Sequence, residues 1–383
     1  MKRKDHVSFK EKFAVASTQF GGALGAGVAS GATVALYFIQ KGGYCAVAAS
    51  VLALLILFVL YYIGMETARE YNLENHTQLY NLFYGNSVLK KLLTPLANIT
   101  VFYSMILASA MAFAGAGTIV SQYTNLSPIV GGLVVGVLCI LVVFFGLEVF
   151  KKLQSWMCLA MFVILTVCYV VTLVNGGIEN LKTVVASRWM PETASIGKML
   201  WWALSFIALY VGFLPILIMS GKKLTTAKDV GGMLGIGFVL NASAFILPTY
   251  AILAYSPAAS LESIPAAYVV NLSGIPYFTE IYLILLFLSL ISTGASCLVT
   301  IGAQLSPYLP KKIESERTRN SIVYILFSVI FAFFAPLGLA STLKLLAPIA
   351  NYLCIFSLVL PIVVFAPIKL AQKRRENKIS KSE

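Results

Sequence analysis

Apolar residues along the chain gather into ten long runs, 12–40, 43–68, 91–122, 128–147, 152–175, 197–220, 229–255, 277–305, 319–338 and 340–369. About 20 such residues cross the ~30 Å hydrocarbon core of a bilayer as a helix, each rising ~1.5 Å. Within the runs the apolar residues are continuous, as from Leu52 to Leu60, where a membrane barrel would alternate over ~10-residue segments. The pattern predicts an all-α polytopic membrane protein with ten transmembrane helices, numbered here spans 1 to 10. Several runs exceed 25 residues, which predicts tilt or interruption. The first run follows a basic start, but it is too long and too glycine-rich for a cleaved signal peptide. No connecting segment is long enough to fold as a domain, so residues 1–383 are expected to form a single membrane domain.

Composition agrees with the pattern. Hydrophobic residues make up 59% of the chain and charged ones 11%, against about 25% charged in soluble domains. That excludes an ordinary soluble enzyme and a disordered chain. The net charge of +13 is a matter of placement. With the N-terminus in the cytoplasm, only Lys41, Lys182, Arg188, Lys198 and Lys344 of the 28 Lys and Arg fall outside, while the basic tail 370–383 falls inside. The asymmetry predicts both termini in the cytoplasm of a cell carrying this multi-pass protein in its plasma membrane, and no nucleic-acid partner. The six cysteines form no CxxC pair and read as buried thiols. Both histidines, His6 and His76, lie on the cytoplasmic side. With no Walker-type loop and no catalytic or metal-ligating cluster, neither an enzyme nor a resident cofactor is expected.

The chemistry is expected where helices break. Residues 21–31 read GGALGAGVASG, five glycines in eleven residues at the middle of span 1. Each glycine costs about 1 kcal/mol relative to alanine in a helix interior. Close helix packing through small residues is one reading of this segment, and an unwound helix is the other. Span 6 carries Gly212 and Pro215 at similar depth, where proline removes a helical hydrogen bond. Spans 1–5 (12–175) and spans 6–10 (197–369) are nearly equal halves joined by an extracellular linker at 176–196. Because five is odd, the second half enters from the opposite side, as in a 5+5 inverted repeat with broken helices 1 and 6. At such a break the new half-helix presents free amides that favour an anion, and the old one ends in carbonyls that favour a cation.

These features resemble the LeuT fold of the amino acid–polyamine–organocation superfamily, and the GAGVASG stretch is similar to that of the bacterial YkvI-like membrane proteins. The resemblance implies a secondary transporter by alternating access, with sodium as coupling ion and a small neutral amino acid or related amine as substrate. It places substrate-binding amides at Gly25, Ala26 and Gly27 and cation-binding carbonyls at Gly21 and Leu24. In span 8 it implies a carbonyl at Ser289 and hydroxyls at Ser292 and Thr293, which share one helical face at i, i+3 and i+4. Hydrogen bonding of these hydroxyls to their own helix is the competing reading. By the same resemblance Tyr103 of span 3 would touch the substrate carboxylate, with Phe206 and Tyr210 closing over its side chain. Glu66, at the cytoplasmic end of span 2 beside Arg69, is either a coupling carboxylate or an ion-paired gate residue. A ligand-sensing receptor subunit on the same fold, similar to a germinant receptor, and a purely structural membrane protein remain the alternatives. The oligomeric state is open.

Overall fold

The computed structural model describes residues 7–85, 88–145, 147–310 and 315–382; the side chains of 22, 89, 145, 147–158, 303, 307 and 377–382 are not described. Lys2, Arg3, Lys4, Lys311 and Lys312, counted above among the inside charges, lie outside the described residues. The described residues of the predicted spans are mainly helical, and eight described helices are by themselves long and apolar enough to cross a membrane. A ninth apolar helix, Pro128–Phe144, is shorter. Span 1 is broken, and its second half runs on into the helix of span 2 within Ala32–Glu70.

The first half of span 1, Phe9–Ala23, starts at a capping box in which Ser8 and Glu11 satisfy each other's backbone amides. It stops at Leu24, and Gly25 is extended (φ −77°, ψ −173°). A single turn, Ala26–Ala29, follows before a second interruption at Ser30 and Gly31. Gly31 has φ +77°, and a β-carbon there would meet Ile252 and the Ala266 amide within about 3 Å, so this corner needs glycine. The Ala266 amide donates to the Ser30 carbonyl, tying the corner to the short helix Pro265–Leu272 that follows span 7. Helix then resumes over 32–42, including a π-helical stretch at Ala35–Ile39.

Span 6 is interrupted more gently. Ile196–Val211 and Leu214–Ser220 are joined by Gly212 and Phe213, both still right-handed helical in φ and ψ. Their amides bond three residues back, to the Leu209 and Tyr210 carbonyls. Pro215 falls in the first turn of the second piece, where a missing N–H is harmless. The sequence expectation of two breaks is met, but only span 1 leaves the helical conformation.

The two halves pack through corresponding members. The first half of span 1 lies against Leu214–Ser220 of span 6, span 2 (Ala46–Glu70) against span 7 (Ala227–Ala254), span 3 (Val88–Thr124) against span 8 (Phe278–Leu305), and span 4 against span 9 (Glu316–Ala332). This is the pairing an inverted repeat generates. Spans 1, 2, 6 and 7 form one packed group, while spans 3, 4, 8 and 9 form another, and the break in span 1 faces the second group. The linker contains a short helix, Ile178–Ala186. The helix of span 10 runs on as Leu360–Ser382, so the basic tail continues it. The ends of spans 2 and 10 and the starts of spans 1 and 7 share one face of the molecule, here the terminal face.

Candidate functional site

The centre of the molecule is organised by the break in span 1. The last hydrogen bond of its first half runs from the Leu24 amide to the Phe20 carbonyl, and the first of the new turn from Val28 to the Gly25 carbonyl. The carbonyls from Gly21 to Leu24 therefore lie beyond the first ladder, and the amides of Gly25, Ala26 and Gly27 precede the second. Span 8 meets this point. Ser289 Oγ donates to the Leu24 carbonyl at 3.4 Å, and a β-carbon on Gly25 would lie 3.8 Å from Thr293 Oγ1. Ser292 Oγ is buried without a hydrogen-bond partner. The structure thus gathers Leu24, Gly25, Ser289 and Thr293 in one place. Ser289 spends its proton on span 1, and Ser292 leaves its hydroxyl unspent; neither bonds its own helix as the competing reading required. Among the described residues there is no cluster of three His, Cys, Asp or Glu. A cation at this point would meet only neutral oxygens, the donor set suited to a monovalent ion.

Gly25 and Gly27 differ in what they explain. A β-carbon on Gly27 would come within 2.5 Å of Met111 Cε and Thr33 Oγ1, so any side chain here would force both to shift. At Gly25 nothing approaches closer than 3.8 Å, and its φ is ordinary. Packing therefore accounts for the second glycine of the pair and not for the first.

The three aromatic residues expected here differ in their surroundings. Tyr210 is buried, and its hydroxyl meets the Thr33 side chain, which also touches Gly27. Phe206 is wholly buried against Tyr210 (ring centroids 4.7 Å apart), Phe38 (4.9 Å) and Phe245 (5.0 Å). The Tyr103 hydroxyl donates to the Leu346 carbonyl of span 10 at 3.0 Å. Span 3 reaches Gly27 with Met111, eight residues further on, or about 12 Å along a helix. At Gly27 itself, the span 3 residue in contact is therefore Met111.

Sequence reading missed the polar contacts that close the molecule on either side. At the terminal face Lys12 Nζ lies 2.9 Å from Asp229 Oδ1, with Asp229 fully buried. Asp229 also accepts from the Val7 amide and from Thr226, whose capping box it completes. Seven residues along span 1, Asn241 donates to Gln19 at 3.0 Å, leaving Gln19 Nε2 and Asn241 Oδ1 buried and unpartnered. Lys12 and Gln19 both face span 7, so one face of the first half-helix is fastened twice. At the opposite end Tyr37 donates to Asn351 (2.9 Å) and packs its ring on Trp202 (5.0 Å), over which Lys41 sits at 5.1 Å. Isolated polar residues within apolar runs, Gln19, Asn241 and Asn351, were the available signal.

Glu66 is ion-paired. Arg69 grips it with two hydrogen bonds, Nε to Oε2 at 2.8 Å and Nη2 to Oε1 at 2.6 Å, and also holds Glu70 and the Thr225 carbonyl. It belongs to the terminal face, away from the break. The five described cysteines, Cys45, Cys139, Cys168, Cys297 and Cys354, are free, and all but Cys45 are buried; the side chain of Cys158 lies outside the description.

No family model matches the chain, and no curated protein matches it. Solved structures do. A Na+-coupled sialic acid symporter in a substrate-bound outward-open state superposes with a TM-score of 0.60 at 14% identity, covering 92% of this chain and 79% of that one. Mhp1 in an inward-facing conformation gives 0.57 at 13%, covering 90% and 75%. MhsT in complex with L-phenylalanine gives 0.56 at 13%, covering 97% and 99%. At these identities the likeness is one of fold: the chain is a multi-pass, all-helical membrane protein with the LeuT fold.

Proposed function

We propose that the chain is a secondary active transporter, carrying a small neutral amino acid or related amine together with sodium by alternating access. The observation that carries this reading is the meeting of Ser289 and Thr293 with the break at Leu24 and Gly25, beside the unpartnered hydroxyl of Ser292. A buried hydroxyl without a partner costs about 1–3 kcal/mol, and a coupling ion held by the Gly21, Leu24 and Ser289 carbonyls and the Ser292 and Thr293 hydroxyls would remove that cost. The amides of Ala26 and Gly27 are the natural partners of a carboxylate, and the open space at Gly25 lets it approach the backbone. The buried aromatic groups Phe206 and Tyr210 suit an uncharged side chain, since an unpaired charge there would be expensive to bury.

In this reading Lys12, Asp229, Gln19 and Asn241 form the cytoplasmic closure, and Tyr37, Asn351, Trp202 and Lys41 the extracellular one. The assignment of sides follows the Lys and Arg asymmetry of the sequence. That the solved structures of like fold include a Na+-coupled symporter and a protein in complex with L-phenylalanine adds support. A melting screen of the purified protein tests the site: amino acids one at a time, each in sodium and in potassium. A ligand at 100 times its Kd adds about 2.7 kcal/mol. The reading expects at least one neutral amino acid to stabilise in sodium and not in potassium. Stabilisation by none, or equal in both salts, would overturn it.

A further inference from the structure

A cavity lies well away from the central break. It has a volume of about 280 Å³ and opens on the terminal face, between the end of span 2 and the turn joining spans 6 and 7. Its floor is apolar, formed by Met65, Ile218 and Val230, and its rim carries Arg69, Glu74 and Lys222. A volume just below the 300–1,000 Å³ of typical ligand sites suits one small molecule.

The rim carries both charge signs, and its groups keep bonding capacity. Lys222 Nζ and Glu74 Oε2 are 3.6 Å apart, too long for a hydrogen bond, and both side chains are at least half exposed. Arg69 is fixed by Glu66, Glu70 and the Thr225 carbonyl. Those bonds use four of its five N–H donors, so one Nη1 proton remains beside the cavity. A lone anion would be opposed by Glu74, and a lone cation by Lys222 and Arg69. A molecule bearing both an ammonium and an anionic oxygen group meets partners for each.

We propose that this cavity is a second binding site, for a small zwitterion, whose anionic group bonds Lys222 and Arg69 and whose ammonium bonds Glu74. Free amino acids and the headgroup of phosphatidylethanolamine share this chemistry. The site does not depend on the central site binding anything.

The test places Leu73→Cys, half-buried in the cavity wall, in the full chain within nanodiscs of phosphatidylglycerol, where both faces are accessible. Labelling by a charged maleimide is timed, with the parent protein subtracted. A mixture of the nineteen amino acids other than cysteine, whose thiol would consume the maleimide, is expected to slow labelling at least fivefold, while sodium acetate and choline chloride at equal concentration leave it unchanged. If a headgroup is the ligand, phosphatidylethanolamine in the disc gives the same protection with no solute added. Lys222→Gln and Glu74→Gln, both surface changes, are each expected to abolish protection, and Ser292→Ala at the central site to preserve it. The proposal is overturned if neither amino acids nor phosphatidylethanolamine protect, if acetate or choline protects equally, or if protection survives either charge change. Loss of protection in Ser292→Ala would also overturn it, because the introduced thiol would then be reporting the central site.

Discussion

Asp229→Asn separates the latch from the fold. The asparagine keeps a side-chain oxygen for the capping box with Thr226, so the start of span 7 stays capped. What it loses is the charge facing Lys12 at 2.9 Å, together with the acceptor for the Val7 amide on the same oxygen. A hydrogen bond to a charged group contributes about 1.5–3 kcal/mol. Lys12 retains 18% side-chain exposure and can turn toward water, so the middle of that range, about 2 kcal/mol, is the appropriate figure. If the contact holds the first half of span 1 against span 7, its loss shifts the closed-to-open ratio about 30-fold, at ~1.4 kcal/mol per decade. Ser243 lines a narrow crevice between spans 1, 5 and 7 beside Leu24, so Ser243→Cys reports the opening. A charged maleimide is expected to label it about 30-fold faster in the Asp229→Asn background. Lys12→Met completes a double-mutant cycle, with a coupling of about 2 kcal/mol between the two sites. Labelling within twofold of the parent, at an unchanged melting temperature, would refute the reasoning: the ion pair would then be present in every state and would latch nothing.

Three other outcomes follow from the same geometry. Ser292→Ala removes an unpartnered buried hydroxyl, so the melting temperature in potassium is expected to hold or rise while the sodium-induced stabilisation disappears; a fall in potassium would show that the hydroxyl is satisfied within the protein. Gly27→Ala forces Met111 and Thr33 to move, an overpacking cost of about 1–3 kcal/mol, whereas Gly25→Ala is expected to leave stability nearly unchanged and to weaken ligand-induced stabilisation, all readable by thermal melting. Burial holds the His76 imidazole below its ordinary value, against a smaller upward pull from its hydrogen bond to Asn98. The neutral form is thus favoured by folding; its stabilisation is complete above the unfolded value near 6.5 and is lost as pH falls through the lower folded value. Melting temperature should therefore drop on acidification below pH 6.5, and His76→Gln should flatten that drop.

The architecture was legible in the sequence because membrane helices announce themselves locally. A run of apolar residues suffices to place a span, and five glycines in eleven residues suffice to place the break at Leu24 and Gly25. The hydroxyls of span 8 were legible for the same reason, as one helical face in a single stretch. Relations between spans were not. Tyr103 and Met111 stand on one helix, and only the crossing of span 3 over span 1 decides which of them meets Gly27. Lys12 and Asp229 are more than two hundred residues apart, and nothing local to either marks the other as its partner. The gentle form of the span 6 interruption also escaped, because a proline in a first turn and a proline in a helix interior look alike until the turn is placed.

The most direct test of the account is uptake into proteoliposomes, using the amino acid selected by the melting screen, with an inward sodium gradient and with potassium in its place. The account predicts accumulation above equilibrium that requires the sodium gradient, collapses with a sodium ionophore and is abolished by Ser292→Ala. Saturable binding without gradient-driven accumulation would contradict it, leaving a ligand-sensing protein built on a transporter fold.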